Sequence, residues 1–278
     1  MSRPYRFLCC LMLLAESASA REIFVDNQVG RDGNDGLVAV NTEGMSGPVR
    51  SLGRAVEIAS FGDVVVLGNT GTPYYDSLSL MGERHSGTAL RPFAIIGNGA
   101  TLSGLRSVPP EGWRKQGPKL WKLTLTRKGF YQLLRNGQPL KEYIPDAGGN
   151  PLEALAPGQW VSWRGSLYFH QDGIDEPTEQ AFAYTADQTG ISMHSVRNVL
   201  VTDLTLQHFR FDGLHAQGLC ENIELNNVVA IENGRAGVVS SNCSSINIFG
   251  GTIARNGRHQ ILAIGHSTAK QWGLNTGE

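Results

Sequence analysis

Asp203, Asp212, Glu221, Glu224 and Glu232 crowd into one stretch of the chain. Hydrolysis of a glycosidic bond needs two carboxyl groups, about 5–5.5 Å apart for retention and about 6.5–9.5 Å for inversion. Which carboxylates can pair depends on what repeats around them. Asn198 to Gly218, Asn222 to Asn242 and Ser245 to Gly265 align, bringing Val199, Ile223 and Ile246 into one register. Leu214, Val238 and Ile261 coincide further on, and Asn233-Gly234-Arg235 recurs as Asn256-Gly257-Arg258. In this register Asp212 shares a row with Ala236 and His259, and Glu232 shares one with His208 and Arg255.

Asp212 and Glu232 are therefore out of phase, which suits an inverting separation better than a retaining one. The expected catalytic set is Asp212, Glu232 and His259, with His208, His215, Arg235 and Arg258 as substrate-binding groups. Two readings stay open. The His208–Glu232–Arg255 row also reads as a ladder of opposite charges, since such cross-strand pairs contribute about 0.2–1 kcal/mol each. Arg235 and Arg258, stacked one above the other, repel unless an anion such as a uronate or sulfate sits between their forks. With that anion neutralised and His215 or His259 as base, elimination is the rival to hydrolysis.

Something must hold these rows in place. Each repeat contains short apolar runs of period 2 separated by polar or glycine-containing corners, so residues point alternately inward and outward. Three short strands per turn of about 23 residues, each turn stacked on the next, is how a solenoid buries an interior that no single turn can close. Asn233 over Asn256 predicts an asparagine ladder about 4.8 Å per step. Cys220 over Cys243 predicts a disulfide, neighbouring rungs lying within the Cα window of about 4.4–6.8 Å. Two buried thiols in one column are the alternative.

The front of the chain supplies a further pattern. Ile23-Phe24-Val25-Asp26 reads as a strand, followed by the loop Gly30-Arg31-Asp32-Gly33-Asn34-Asp35-Gly36. Ser51 then caps a helix carrying Leu52, Ala55, Val56, Ile58 and Ala59, and Val64-Val65-Val66-Leu67 and Ile95-Ile96-Gly97-Asn98-Gly99-Ala100 follow. This order resembles the N-terminal cap and first coils of secreted right-handed parallel β-helix proteins of the pectate-lyase-like superfamily. Residues 107–185 break the repeat and hold Trp113, Trp121, Trp160 and Trp163. That stretch is similar to a small β module inserted between coils in some β-helical glycoside hydrolases.

The resemblance implies an all-β chain. Residues 21–106 would form the cap and first coils, 107–185 the insert, and 186–278 the C-terminal coils. The insert's tryptophans read either as its core or as an aromatic wall against sugar faces.

Composition bounds the rest. With 24 Lys and Arg against 25 Asp and Glu, the net charge is −1, which disfavours sequence-independent nucleic-acid binding. Arg3, Arg6, the apolar run Phe7 to Leu14 and Ala18-Ser19-Ala20 form an export signal cleaved after Ala20. That run is too short to cross a membrane, and no later stretch is a candidate span. A secreted or periplasmic protein acting on an oligosaccharide or polysaccharide is expected, with a non-catalytic glycan-binding protein as the alternative.

No cofactor is expected. Asp32, Asn34 and Asp35 make an oxygen-rich loop without the closing Glu of an EF-hand, so a turn is favoured there over a calcium site. The closing Gly-Leu-Asn-Thr-Gly-Glu lacks an amphipathic cap, so the last coil is expected to need a partner or a continuation to cover its edge.

Overall fold

The computed structural model describes residues 20–125, 127, 129–145 and 149–277. The leader lies outside them apart from Ala20. Their architecture is all-β, with three parallel sheets and two antiparallel ones. The seven-stranded parallel sheet runs, in spatial order, Glu22–Val25, Val64–Leu67, Phe93–Ile96, Arg197–Thr202, Glu221–Asn226, Ser245–Phe249 and Thr268–Trp272. The five-stranded sheet contains Leu78–Met81, Thr189–His194, Asp212–Gln217, Ala236–Asn242 and His259–Gly265. A four-stranded parallel sheet holds Thr101–Ser103, Thr205–Gln207, Val229–Ile231 and Thr252–Ala254. Beyond Arg197 the chain visits the three sheets in rotation, an order consistent with a β-helix.

Inward-facing residues pile into columns. Ile23, Val65, Ile95, Val201, Leu225 and Ile248 follow one another across the seven-stranded sheet, all fully buried. Leu78, Ile191, Leu214, Val238 and Ile261 do the same in the five-stranded sheet, with only Ile261 partly open. Burying each such side chain is worth about 1.5–3 kcal/mol. Because the columns share one apolar cluster, the three sheets cohere. The helix Leu52–Ile58 covers the first rungs of that cluster, its N-terminus capped by Ser51 Oγ accepting from the Arg54 N–H. Asp32 Oδ1 accepts from the Arg50 and Ser51 N–H groups, so this carboxylate ties the glycine-rich loop to the helix start.

Asn233 and Asn256 form the expected ladder. Asn233, with no exposed surface, accepts from the Phe209 N–H and donates to the Leu206 carbonyl and to Asn256 Oδ1. Against this row stands a column of glycines, Gly190, Gly213 and Gly237. A Cβ on Gly237 would come 2.3 Å from Ile253 Cγ2 and 2.8 Å from Asn256 Nδ2, so Ile253 and the asparagine occupy the space that a side chain there would fill. Asn233→Ala should therefore lower unfolding free energy by about 2–3 kcal/mol, since it orphans the buried Phe209 N–H and Leu206 carbonyl. Urea denaturation measures this; a cost under about 0.5 kcal/mol would deny the ladder its structural role.

The disulfide expectation is corrected. Cys220 and Cys243 are both free, the first buried and the second exposed. From Arg197 to this corner strand pairing runs 24 residues apart, and beyond it 23. The Ser245 N–H donates to the Cys220 carbonyl, and the Cys220 N–H to Ser244 Oγ, so Cys220 stacks with Val196 and Ser244 in a buried column. Cys243 falls one position out of register and turns to solvent.

Between the coils lie the antiparallel sheets. One pairs Leu105–Ser107, Phe182–Thr185, Leu133–Arg135 and Gln138–Pro139. The other pairs Trp113–Lys115, Leu120–Thr124, Ser166–His170 and Trp160–Trp163. Trp113, Trp121 and Trp160 are buried in their own cluster with Phe169 and Phe182, so these rings form a core and not a sugar-facing wall. The excursion leaves the coil register intact, because Phe93 pairs directly with Val199 and Leu78 with Ile191.

Candidate functional site

The outer face of the five-stranded sheet is polar where its rungs are complete. Ser79, Ser192 and His215 stand in one outward row, Ser79 Oγ lying 2.9 Å from Ser192 Oγ. They floor a cleft of about 530 Å³ whose wall includes Asp187, Asp212, Arg127 and Arg235. The roomier depression beside Phe61, Glu83 and Arg197, about 630 Å³, has only one carboxylate among its described lining residues.

Asp212 starts its strand at the base of the cleft, its side chain 1% exposed. Arg235, at the matching corner one rung on, grips both carboxylate oxygens, with Nε to Oδ1 at 2.9 Å and Nη2 to Oδ2 at 2.5 Å. That pairing pushes the Arg235 guanidinium up. The repulsion expected between Arg235 and Arg258 is relieved without an anion. Arg235 turns to Asp212, while Arg258 lies over the Phe130 ring, 5.6 Å from its centroid, and feels the charge of Glu142.

His215 Nδ1 lies 3.6 Å from Asp212 Oδ2, and its Nε2 lies 2.9 Å from Ser241 Oγ. Burial, opposed by Asp212, holds its pKa below the ordinary range. The three side chains do not form an acyl-transfer relay. The first distance exceeds a hydrogen bond, and Ser241 Oγ donates to the Ala216 carbonyl.

Asp187 has no precedent in the sequence reading. It sits two residues before Thr189, whose Cα pairs with that of Asp212, so the two carboxyls occupy neighbouring rungs of one cleft. Arg106 Nη2 lies 2.9 Å from Asp187 Oδ2, but off the axis a hydrogen bond needs, so that oxygen accepts none. Burial pushes the Asp187 carboxyl up and the Asp76 charge adds to this, against the pull of Arg106, Arg127 and Arg210. One acid inclined to keep its proton thus stands beside a carboxylate clamped by a guanidinium.

The other expected residues gather elsewhere. Glu232 does not line this cleft; its Oε2 lies 3.4 Å from His208 Nε2 and its Oε1 accepts from Arg255 Nε at 3.0 Å. This is the opposite-charge ladder, set at a corner where His208, Glu232 and Arg255 all have positive φ. His259 is exposed on the last strand of its sheet, two rungs from Asp212. Glu232→Gln should leave catalysis unchanged and lower stability by under about 1 kcal/mol, because Arg255 is mostly exposed. Parallel assays of turnover and melting check this, and a loss of turnover would return Glu232 to the catalytic set.

His85, His208 and His215 are all held below the ordinary histidine range, in each case chiefly by burial. The folded state thus favours neutral imidazole, while the unfolded chain takes up protons near pH ~6.5. Their stabilising contribution is complete above that value and is lost as pH falls toward the lowered ones. Asp187 and Glu142, pushed up by burial, act oppositely, between the ordinary carboxylate value and their raised ones. The melting temperature should fall from about pH 7 to about pH 5; a level profile across that window would contradict the assignment.

No family model matches the chain, and no curated protein matches it significantly. Solved structures do. The complex of XylC with xylose aligns at a TM-score of 0.50 and 9% identity, over 90% of this chain and 64% of that one. A glycoside hydrolase aligns at 0.54 and 13% identity, over 84% of this chain and 65% of that one. A lacto-N-biosidase from Eubacterium ramulus aligns at 0.43 and 14% identity, over 91% of this chain and 42% of that one. At such identities the likeness is one of fold alone. The chain spans just under two thirds of the length of the first two. Among the described residues no helix is long and apolar enough to cross a membrane.

Proposed function

We propose that this chain is an exported right-handed parallel β-helix protein, with residues 107–185 as an inserted module, that hydrolyses a glycosidic bond in an oligosaccharide or polysaccharide. The observation that carries the reading is that Asp187 and Asp212 line one polar cleft from neighbouring rungs. Two carboxyls in contrasting environments divide acid and base roles between them. Asp187, pushed up by burial, donates a proton to the leaving oxygen. Asp212, held in place by both nitrogens of the Arg235 fork, serves as the base or nucleophile. His215, Ser192 and Gln217 offer hydrogen bonds to sugar hydroxyls along the floor. The likeness to glycoside hydrolases supports the carbohydrate-active class, and the leader pattern of Arg3, Arg6, Phe7 to Leu14 and Ala18-Ser19-Ala20 supports export.

The test is a panel of plant, microbial and host glycans incubated with the purified protein. Reducing-sugar release without ultraviolet absorbance is the expected result. An unsaturated, absorbing product would replace hydrolysis with elimination. Binding without release on every glycan would make the protein a non-catalytic glycan-binding β-helix.

A further inference from the structure

We propose that the pocket where the coil meets the antiparallel segment, lined by Arg106, Arg127 and Arg210, is a subsite for an acidic sugar bearing a carboxylate or sulfate ester. This rests on the reading of the adjoining cleft as a glycan site.

The strongest sign is Arg210. It is 3% exposed, and its guanidinium lies 5.4 Å from the Tyr131 ring centroid and 5.5 Å from that of Phe211. Its Nη1 donates to Tyr131 Oη at 3.0 Å, and its Nε has no partner. Among the described residues no carboxylate comes within ion-pair distance of it. A buried cation without an ion-pair partner is costly, by several kcal/mol per ion before compensation. Ring faces and one phenol offset part of this cost.

The pocket beside it, about 520 Å³, has room for a monosaccharide. Arg127 lines both this pocket and the cleft, and its guanidinium makes no hydrogen bond or ion pair among the described residues. Arg106 and Asp187 complete the charged lining. Three guanidiniums thus face one carboxyl. The excess is positive, planar and fork-shaped, which suits a carboxylate or sulfate in bidentate contact. Tyr131 and Tyr184, 6.3 Å apart at their centroids, supply the ring surface that a sugar face packs against.

Occupancy would also act on the cleft. An anion here offsets the pull that Arg106, Arg127 and Arg210 exert on Asp187, leaving its carboxyl better able to hold a proton for the leaving oxygen.

The test is calorimetric titration of the full chain with sodium glucuronate, glucose 6-sulfate and glucose, at low and high salt. At least one of the two anions should bind ten-fold or more tightly than glucose and weaken as salt rises. Binding of glucuronate alone assigns a carboxylate sugar, and binding of glucose 6-sulfate alone a sulfated one. Arg127→Gln, at an exposed position, should weaken the anion about ten-fold. Arg210→Lys should do the same, because an ammonium cannot reproduce the fork.

Glucose binding as tightly as the anions, or indifference of anion binding to Arg127→Gln, would overturn the subsite. Its fate separates from that of the cleft. Cleavage of neutral glycans with no anion bound removes the subsite and keeps the hydrolase. Anion binding without turnover on any glycan does the reverse.

Discussion

An Asp187→Asn chain should fold and melt like the parent and cleave its glycan about 10²–10⁴-fold more slowly, the range that a positioned proton donor supplies. The substitution conserves shape, and the backbone groups of Asp187, which bond the Gly104 carbonyl and the Arg210 N–H, are untouched. What disappears is a transferable proton. Asn cannot protonate a leaving oxygen, so the loss should fall on kcat with KM little changed.

The pH profile gives an independent reading. An acid catalyst works only while protonated, so activity should decline as pH rises through the Asp187 value, which lies above the ordinary carboxylate range chiefly through burial. Arg106 exerts the largest opposing pull, so Arg106→Gln should move that alkaline limb to higher pH. Turnover by Asp187→Asn within about three-fold of the parent would remove Asp187 from the mechanism.

Much of the parallel-strand stacking was legible because a sequence repeat writes strand register into the spacing of residues. Leu214, Val238 and Ile261 share an inner column as their register predicts, and Asn233 and Asn256 bond side chain to side chain. His208, Glu232 and Arg255 meet as the row predicts, though at a corner apart from the cleft. The disulfide failed on a one-residue change of register, which periodicity averages away and a disulfide does not tolerate.

The site was only half legible for another reason. Asp212, Arg235 and His215 lie on repeating strands, whereas Arg210 meets Tyr131 and Arg127 across a segment with no repeat. Asp187 sits at the joint between the two. A usable signal existed: Asp187-Gln188-Thr189 lies one coil before Phe211-Asp212, which marks Asp187 as a second acid near the same corner.

Arg235→Leu should be among the most destabilising substitutions in the chain, costing about 3–5 kcal/mol, the usual consequence of stripping a buried charge of its partner. Asp212 is 1% exposed on its side chain, and without Arg235 its nearest charged neighbour is His215, 3.6 Å away and inclined to stay neutral. At about 2–4 °C per kcal/mol for a chain of this size, the melting temperature should drop by roughly 10 °C.

The reverse substitution should cost less. Arg235 keeps 26% of its side chain in solvent and stacks 5.3 Å from the Phe211 ring centroid, so in Asp212→Asn the guanidinium can still be hydrated. Combining Asp212→Asn with Arg235→Leu should recover much of what Arg235→Leu alone loses, because the orphaned charge is gone. The cycle of four proteins isolates the coupling between the pair, expected at about 2–3 kcal/mol. Additive costs, with no recovery in the double variant, would mean that the clamp does not hold Asp212, and the division of roles between Asp187 and Asp212 would lose its electrostatic basis.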